Sequence, residues 1–243
     1  MHFITRASVV ASLFAASVAF ASGGPQGNTE NGENIYMNGK GDTVPACMSC
    51  HGETGMGDDA MGTPRLAGQG YAFIVKQLKD FATDKREDTT MYIMNANAKG
   101  LTEGEMRDLA AYVNGLDKDI TASISDMALM TDMEIPVGVR YLGKGLAQHG
   151  APDRGIPACH SCHGFNGRGA APLYPVIGGQ RYPYLVNQLK QWRDGSRAND
   201  PMSQMQIVAQ KLTDEDIHNV ATFLNSAPRT TQGNTRVPGQ FPH

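Results

Sequence analysis

All four cysteines of the 243-residue chain fall in two pentapeptides of one form, Cys47-Met48-Ser49-Cys50-His51 and Cys159-His160-Ser161-Cys162-His163, each followed by glycine. C-x-x-C-H is the pattern of covalent haem attachment. On one helical turn residues i and i+3 share a face, so both thiols reach the two vinyl groups of a porphyrin while the next residue offers an imidazole to the iron. Two such units predict two covalent haem c groups, bound through Cys47, Cys50, Cys159 and Cys162, with His51 and His163 as proximal iron ligands. Zinc, a thioredoxin-like pair and structural disulfides are the competing uses of C-x-x-C. Zinc ribbons hold their pairs much closer than the 109 positions from Cys50 to Cys159, and a redox pair needs a βαβ setting that the pattern lacks.

The pentapeptides belong to a longer repeat. Leu66-Ala67-Gly68-Gln69 answers to Ile177-Gly178-Gly179-Gln180, and from Tyr71/Tyr182 to Leu116/Ala227 the halves align without a gap, with 13 of 46 pairs identical. Gln77/Gln188, Arg86/Arg197, Met94/Met205 and Thr102/Thr213 are among them. The offset is 112 at the cysteines and 111 beyond, so one residue separates the copies there. Domains are expected at 22–116 and 139–227, joined by an acidic linker at 117–138 and followed by a flexible tail at 228–243.

The elements read as helices. Phe73, Ile74, Leu78 and Phe81 share a face, repeated by Tyr184, Leu185, Leu189 and Trp192. The last helix of each copy opens with Thr102 and Glu105, or Thr213 and Asp216, in the spacing of a capping box. Met106, Leu109, Ala110 and Val113, and likewise Ile217, Val220, Ala221 and Leu224, then form a buried stripe. No convincing alternating strand is present.

Residues 1–21 read as a secretory signal: Arg6, an apolar run from Ala7 to Phe20, and Ala19-Phe20-Ala21 before cleavage at Ser22. The run is shorter than the roughly 20 residues a spanning helix needs. The expected location is the periplasm, with no transmembrane segment in the mature chain, although peripheral membrane association stays open.

A methionine is the usual distal ligand of a carrier of this kind. Of 13 methionines, only Met91/Met202 and Met94/Met205 recur in register after the cysteines, and the repeat leaves both pairs open. The chain closely resembles the dihaem cytochromes c4, through both C-x-x-C-H-G motifs, Gly-Gln-x-Tyr with Val-x-Gln-Leu-Lys, Asn199-Asp200-Pro201-Met202, and the helix start Leu212-Thr213-Asp214-Glu215-Asp216-Ile217. The resemblance implies an all-α fold of two tandem cytochrome c-like haem domains. It also implies iron ligation by Met94 and Met205, which precede Leu101 and Leu212 by seven residues, with Met91 and Met202 as runners-up. The chain departs from that pattern in its longer linker, with Met127, Met130 and Met133, and in its Pro- and Gly-containing tail. His149, His160, His218 and His243 lack a matching histidine in the other copy and read as surface or supporting residues. The recurring Arg86/Arg197 and Tyr71/Tyr182 read as structural, with a haem propionate as the other contact open to them.

By the same resemblance the chain is an electron carrier and not an enzyme, passing single electrons between redox protein partners, typically toward a terminal oxidase. No nucleic-acid partner is expected. The alternatives are the dihaem subunit of an oxidoreductase complex, such as a flavocytochrome c sulfide dehydrogenase, and a dihaem enzyme such as a peroxidase or thiosulfate dehydrogenase. Charge is unevenly spread: residues 22–116 carry 8 Lys+Arg and 13 Asp+Glu, residues 117–138 carry 1 and 5, and residues 139–243 carry 11 and 6. Such a dipole is expected to steer different partners to the two halves, through Asp84 and Glu87 in the first and Arg193 and Arg197 in the second.

Overall fold

The computed structural model describes residues 27–89, 92–116 and 125–227. The leader, the tail and Met91 lie outside the described residues. Eleven α-helices are present among those described: α1 (Thr29–Asn38), α2 (Met48–His51), α3 (Tyr71–Ala82), α4 (Ile93–Lys99), α5 (Glu103–Gly115), α6 (Met127–Asp132), α7 (Arg140–His149), α8 (Cys159–His163), α9 (Tyr182–Asp194), α10 (Gln204–Ala209) and α11 (Asp214–Asn225). Extended pairing among the described residues is confined to isolated bridges, so the fold is all-α. It consists of the same helical unit built twice, α1–α5 and α7–α11.

Both capping boxes form. Thr102 Oγ1 accepts from Glu105 N, and Thr213 Oγ1 from Asp216 N, while each acidic side chain reaches back to the threonine N–H. The expected stripes are buried: Met106, Leu109, Ala110 and Val113 on α5, and Ile217, Val220, Ala221 and Leu224 on α11, are all 4% exposed or less. Burial of such side chains contributes about 1.5–3 kcal/mol each, which is what holds short helices that would be marginal alone. The segment read only as a linker contains α6, whose Met130 is fully buried in the second core.

In each unit the first and last helices cross at a glycine. A Cβ at Gly32 would lie 2.1 Å from the Asp108 carbonyl oxygen, and one at Gly143 would lie 1.8 Å from that of Asn219. The crossing is tied by side chains in the same register: Asp108 Oδ1 accepts from Asn28 N at 2.6 Å, and Asn219 Oδ1 from Val139 N at 2.5 Å. Gly143→Ala forces these backbones apart, an overpacking cost of about 1–3 kcal/mol. Thermal denaturation should show the second unit melting lower by at least the roughly 4–8 °C that 1 kcal/mol is worth in a domain this small.

The units face each other through residues that recur in the repeat. Gln69 Nε2 donates to Val176 O at 2.9 Å and its Oε1 accepts from Val176 N at 2.9 Å. Gln180 does the same to Arg65 O and N, at 2.9 and 2.7 Å. Arg86 bonds Gln77 of its own unit at 2.7 Å and Gln188 of the other at 2.9 Å. Arg197 reciprocates with Gln188 at 2.5 Å and Gln77 at 3.2 Å. Each guanidinium lies over an aromatic ring, Arg86 on Phe81 at 4.5 Å and Arg197 on Trp192 at 4.2 Å. Both arginines are buried, at 7% and 6% exposure. Arg197 is therefore not a docking residue, and the expectation that it steers a partner is corrected. Arg193 is also engaged, with Asp214 at 2.6 Å and the Leu212 carbonyl at 3.3 Å.

Candidate haem sites

Each pentapeptide folds as one tight turn. In the first, His51 N bonds Cys47 O at 3.0 Å and Cys50 N bonds Cys47 O at 3.3 Å. Gly52, at φ +77°, ends the helix, a conformation that suits glycine. Cys159–His163 forms the matching turn and ends at Gly164, at φ +73°. All four cysteines are partly buried and none is paired in a disulfide. Burial pushes the Cys47 and Cys159 thiols up to about 11, the opposite of the depressed value that makes a C-x-x-C pair a redox catalyst.

His51 and His163 are 6% and 7% exposed. Their Nδ1 atoms lie 3.1 Å from Pro64 O and 2.9 Å from Pro175 O. A carbonyl only accepts, so Nδ1 carries the proton and Nε2 keeps its lone pair, the arrangement that a metal-bound imidazole requires. Burial, only partly offset by these bonds, lowers the tendency of both rings to charge, which keeps them neutral as ligands must be. The two prolines recur in register, a signal in the sequence that a residue-type search passes over because the acceptor is a backbone carbonyl.

The loops after the two histidines are built alike. Gly57 N donates to His51 O at 2.8 Å and Gly169 N to His163 O at 2.7 Å. Met94 stands in the first turn of α4 and donates its N–H to Asp88 Oδ2 at 3.2 Å. Met205 stands in the first turn of α10 and donates to Asp200 Oδ2 at 2.6 Å. Met202 is 80% exposed, at φ +58°, on the turn before α10. Met205 is partly buried, as is Met94. Among the other histidines, His160 packs between Phe165 and Phe223, His218 Nδ1 lies 2.7 Å from Tyr182 Oη, and His149 is exposed. His243 lies outside the described residues.

In each unit two thiols on one turn and a neutral imidazole with a fixed Nδ1 proton fit a covalently held haem. The two C-x-x-C pairs stay in separate units, and among the described residues no three His, Cys, Asp or Glu side chains gather as an ion site.

Fold and site together define a two-domain haem-binding electron carrier. The family model "Cytochrome c" matches residues 29–117 and 143–228. The chain is 34% identical over 209 residues to the "Thiosulfate dehydrogenase electron acceptor" of Stutzerimonas stutzeri, covering 86% of this chain and 91% of that one. It is 32% identical to the cytochrome c4 of Pseudomonas aeruginosa, covering 73% and 82%. Among solved structures, reduced cytochrome c4 from Pseudomonas stutzeri superposes with a TM-score of 0.67 at 29% identity, over 83% of this chain and 99% of that one. The thiosulfate dehydrogenase (TsdBA) of Marichromatium purpuratum superposes at 0.68 with 31% identity, over 82% of this chain but 40% of its own. The chain belongs to the dihaem cytochrome c4 family. No helix among the described residues is long and apolar enough to cross a membrane.

Proposed function

We propose that this chain is a periplasmic carrier with two covalent haems that takes single electrons from a thiosulfate-oxidising dehydrogenase and delivers them toward a terminal oxidase. The haem units lie within residues 22–116 and 139–227, behind a leader cleaved before Ser22. Cys47 and Cys50 hold the first haem between His51 and Met94. Cys159 and Cys162 hold the second between His163 and Met205. Haem supplies the reversible one-electron iron couple. The protein would supply the ligating side chains and, through the Pro64 and Pro175 carbonyls, hydrogen bonds that tune the potential. The exposure of Met202 and the capped position of Met205 favour the latter as ligand.

The observation that carries the reading is the matched pair of buried histidines, each with Nδ1 held by a proline carbonyl. The choice of donor rests on the relative named as a thiosulfate dehydrogenase electron acceptor, which aligns along nearly its full length. The test is stopped-flow reduction: the oxidised protein, mixed with a thiosulfate dehydrogenase and thiosulfate, should be reduced at both haems within turnover time. Thiosulfate alone should reduce neither. Reduction by thiosulfate without the enzyme would instead favour a second reading, a dehydrogenase in its own right, to which the likeness to TsdBA gives some support.

A further inference from the structure

Several contacts between the halves come in matched pairs, and the pairing of Asp59 with Arg181 does not. Asp59, in the loop after His51, has a carboxylate 4% exposed and lies 3.0 Å from Arg181 Nη1 at the start of α9. Arg181 also donates through Nε to Met56 O and through Nη2 to Gly57 O, each at 2.8 Å. Ser125 Oγ donates to Asp59 Oδ1 at 2.8 Å, and Asp126 N donates to Oδ2 at 3.2 Å. Ser125 Oγ in turn accepts from Tyr182 N at 2.8 Å and Asn225 Nδ2 at 2.9 Å. In the repeat register Asp59 answers to Ala171 and Arg181 to Gly70. Neither has a charged counterpart, and among the described residues no first-domain side chain reaches the Arg168 or Gly169 carbonyls of the second loop.

The loop that Arg181 grips leads straight to the first histidine. Asp58 and Thr63 pair N–H to carbonyl in both directions, at 3.2 and 2.9 Å, and Thr63 Oγ1 donates to Cys50 O at 2.7 Å. The next residue is Pro64, whose carbonyl takes the His51 Nδ1 proton. That bond raises the basicity of the ligand and stabilises the oxidised metal.

We infer that Arg181, paired with Asp59, is a one-sided positioning residue. Through it the second domain adds a hold on the loop that orients His51 beyond the matched glutamine bonds, so the first haem's potential depends on the Asp59–Arg181 pair and the second's does not. This rests on the haem ligation proposed above. The buried pair is removed without stranding a charge in the double variant Asp59→Asn/Arg181→Gln of the full, haem-loaded chain. Visible potentiometry follows both haems, which are assigned by repeating the titration in a Met205→His background that moves the second haem lower. The loosened loop weakens the Nδ1 bond, so the first haem should become easier to reduce by tenfold in its equilibrium constant, about 59 mV. The second should move by less than a third of that. Arg181→Lys, which keeps the charge and loses the forked contacts, should give a smaller shift of the same sign and selectivity. Equal movement of both haems, or of neither, overturns the inference. A count other than two haems per chain overturns the attachment itself and is read separately, from the pyridine haemochrome.

Discussion

Replacing Met94 by alanine is expected to lower the potential of the first haem by on the order of a few hundred millivolts, within the roughly 0.8 V range that axial ligands command. Met205→Ala should do the same to the second. The thioether is a soft ligand that favours Fe(II). Its loss leaves water or a harder donor, which favours Fe(III). The far-red sulfur-to-iron band of the affected haem should vanish while the other persists. Each variant therefore reports on one unit only, because the two proposed sites share no residue. Met202→Ala should leave both potentials and both bands unchanged, since that side chain projects into solvent. A lost band in Met91→Ala or Met202→Ala would place the ligand three residues earlier in the chain. The measurement is a potentiometric titration followed from the visible to the near infrared.

The second large effect concerns the seam between the domains. Gln77 and Gln188 are the shared acceptors of two buried guanidiniums, and Gln77 also accepts from Asn199 Nδ2 at 3.2 Å. Burial disfavours charge on Arg197, and the neighbouring Arg86 adds to it. Tyr184 lies within the same cluster; burial opposes its ionisation, yet the two arginines draw its phenol below the usual range. Changing both glutamines to leucine keeps the volume but removes the shared acceptors, leaving Arg86 with Tyr184 Oη at 3.0 Å and Arg197 with Asn199 Oδ1 at 3.1 Å. A hydrogen bond to a charged group contributes about 1.5–3 kcal/mol, so losing those to both glutamines is expected to separate the domains before either unfolds. Small-angle scattering should show the chain lengthening, and denaturant unfolding should split into two transitions. A single transition at the original midpoint would mean that the matched bonds contribute little.

Much of this molecule can be read from its residues because the chain repeats. The repeat register located both histidines, both capping boxes and both buried stripes, each an interaction local enough for sequence spacing to encode. The same register left Met91/Met202 beside Met94/Met205, and exposure is what separates Met202 from Met205. Four features were not legible. The Nδ1 acceptors are carbonyls, so the identity of Pro64 and Pro175 says nothing about them. Helix α6 lies in a segment without a copy, and only the second core explains why Met130 is buried. Charge counted along the chain misplaced Arg197, because a sum over residues carries no information about which face they occupy. Asp59 and Arg181 are 122 residues apart and unmatched in the repeat, so no spacing rule joins them.

The reciprocal form of the seam has an evolutionary meaning. When residue i of one unit meets residue j of the other and j meets i in return, the surface is that of a two-fold homodimer. Gln69 with Val176 and Gln180 with Arg65 obey that rule, as do the crossed bonds of Arg86 and Arg197. In a dimer of identical subunits every substitution is made twice, so no contact can be one-sided. Once both units lie in one chain that constraint is gone, and each can change alone. The pairing of Asp59 with Arg181, made once and not twice, is open only to a chain whose two copies can change separately.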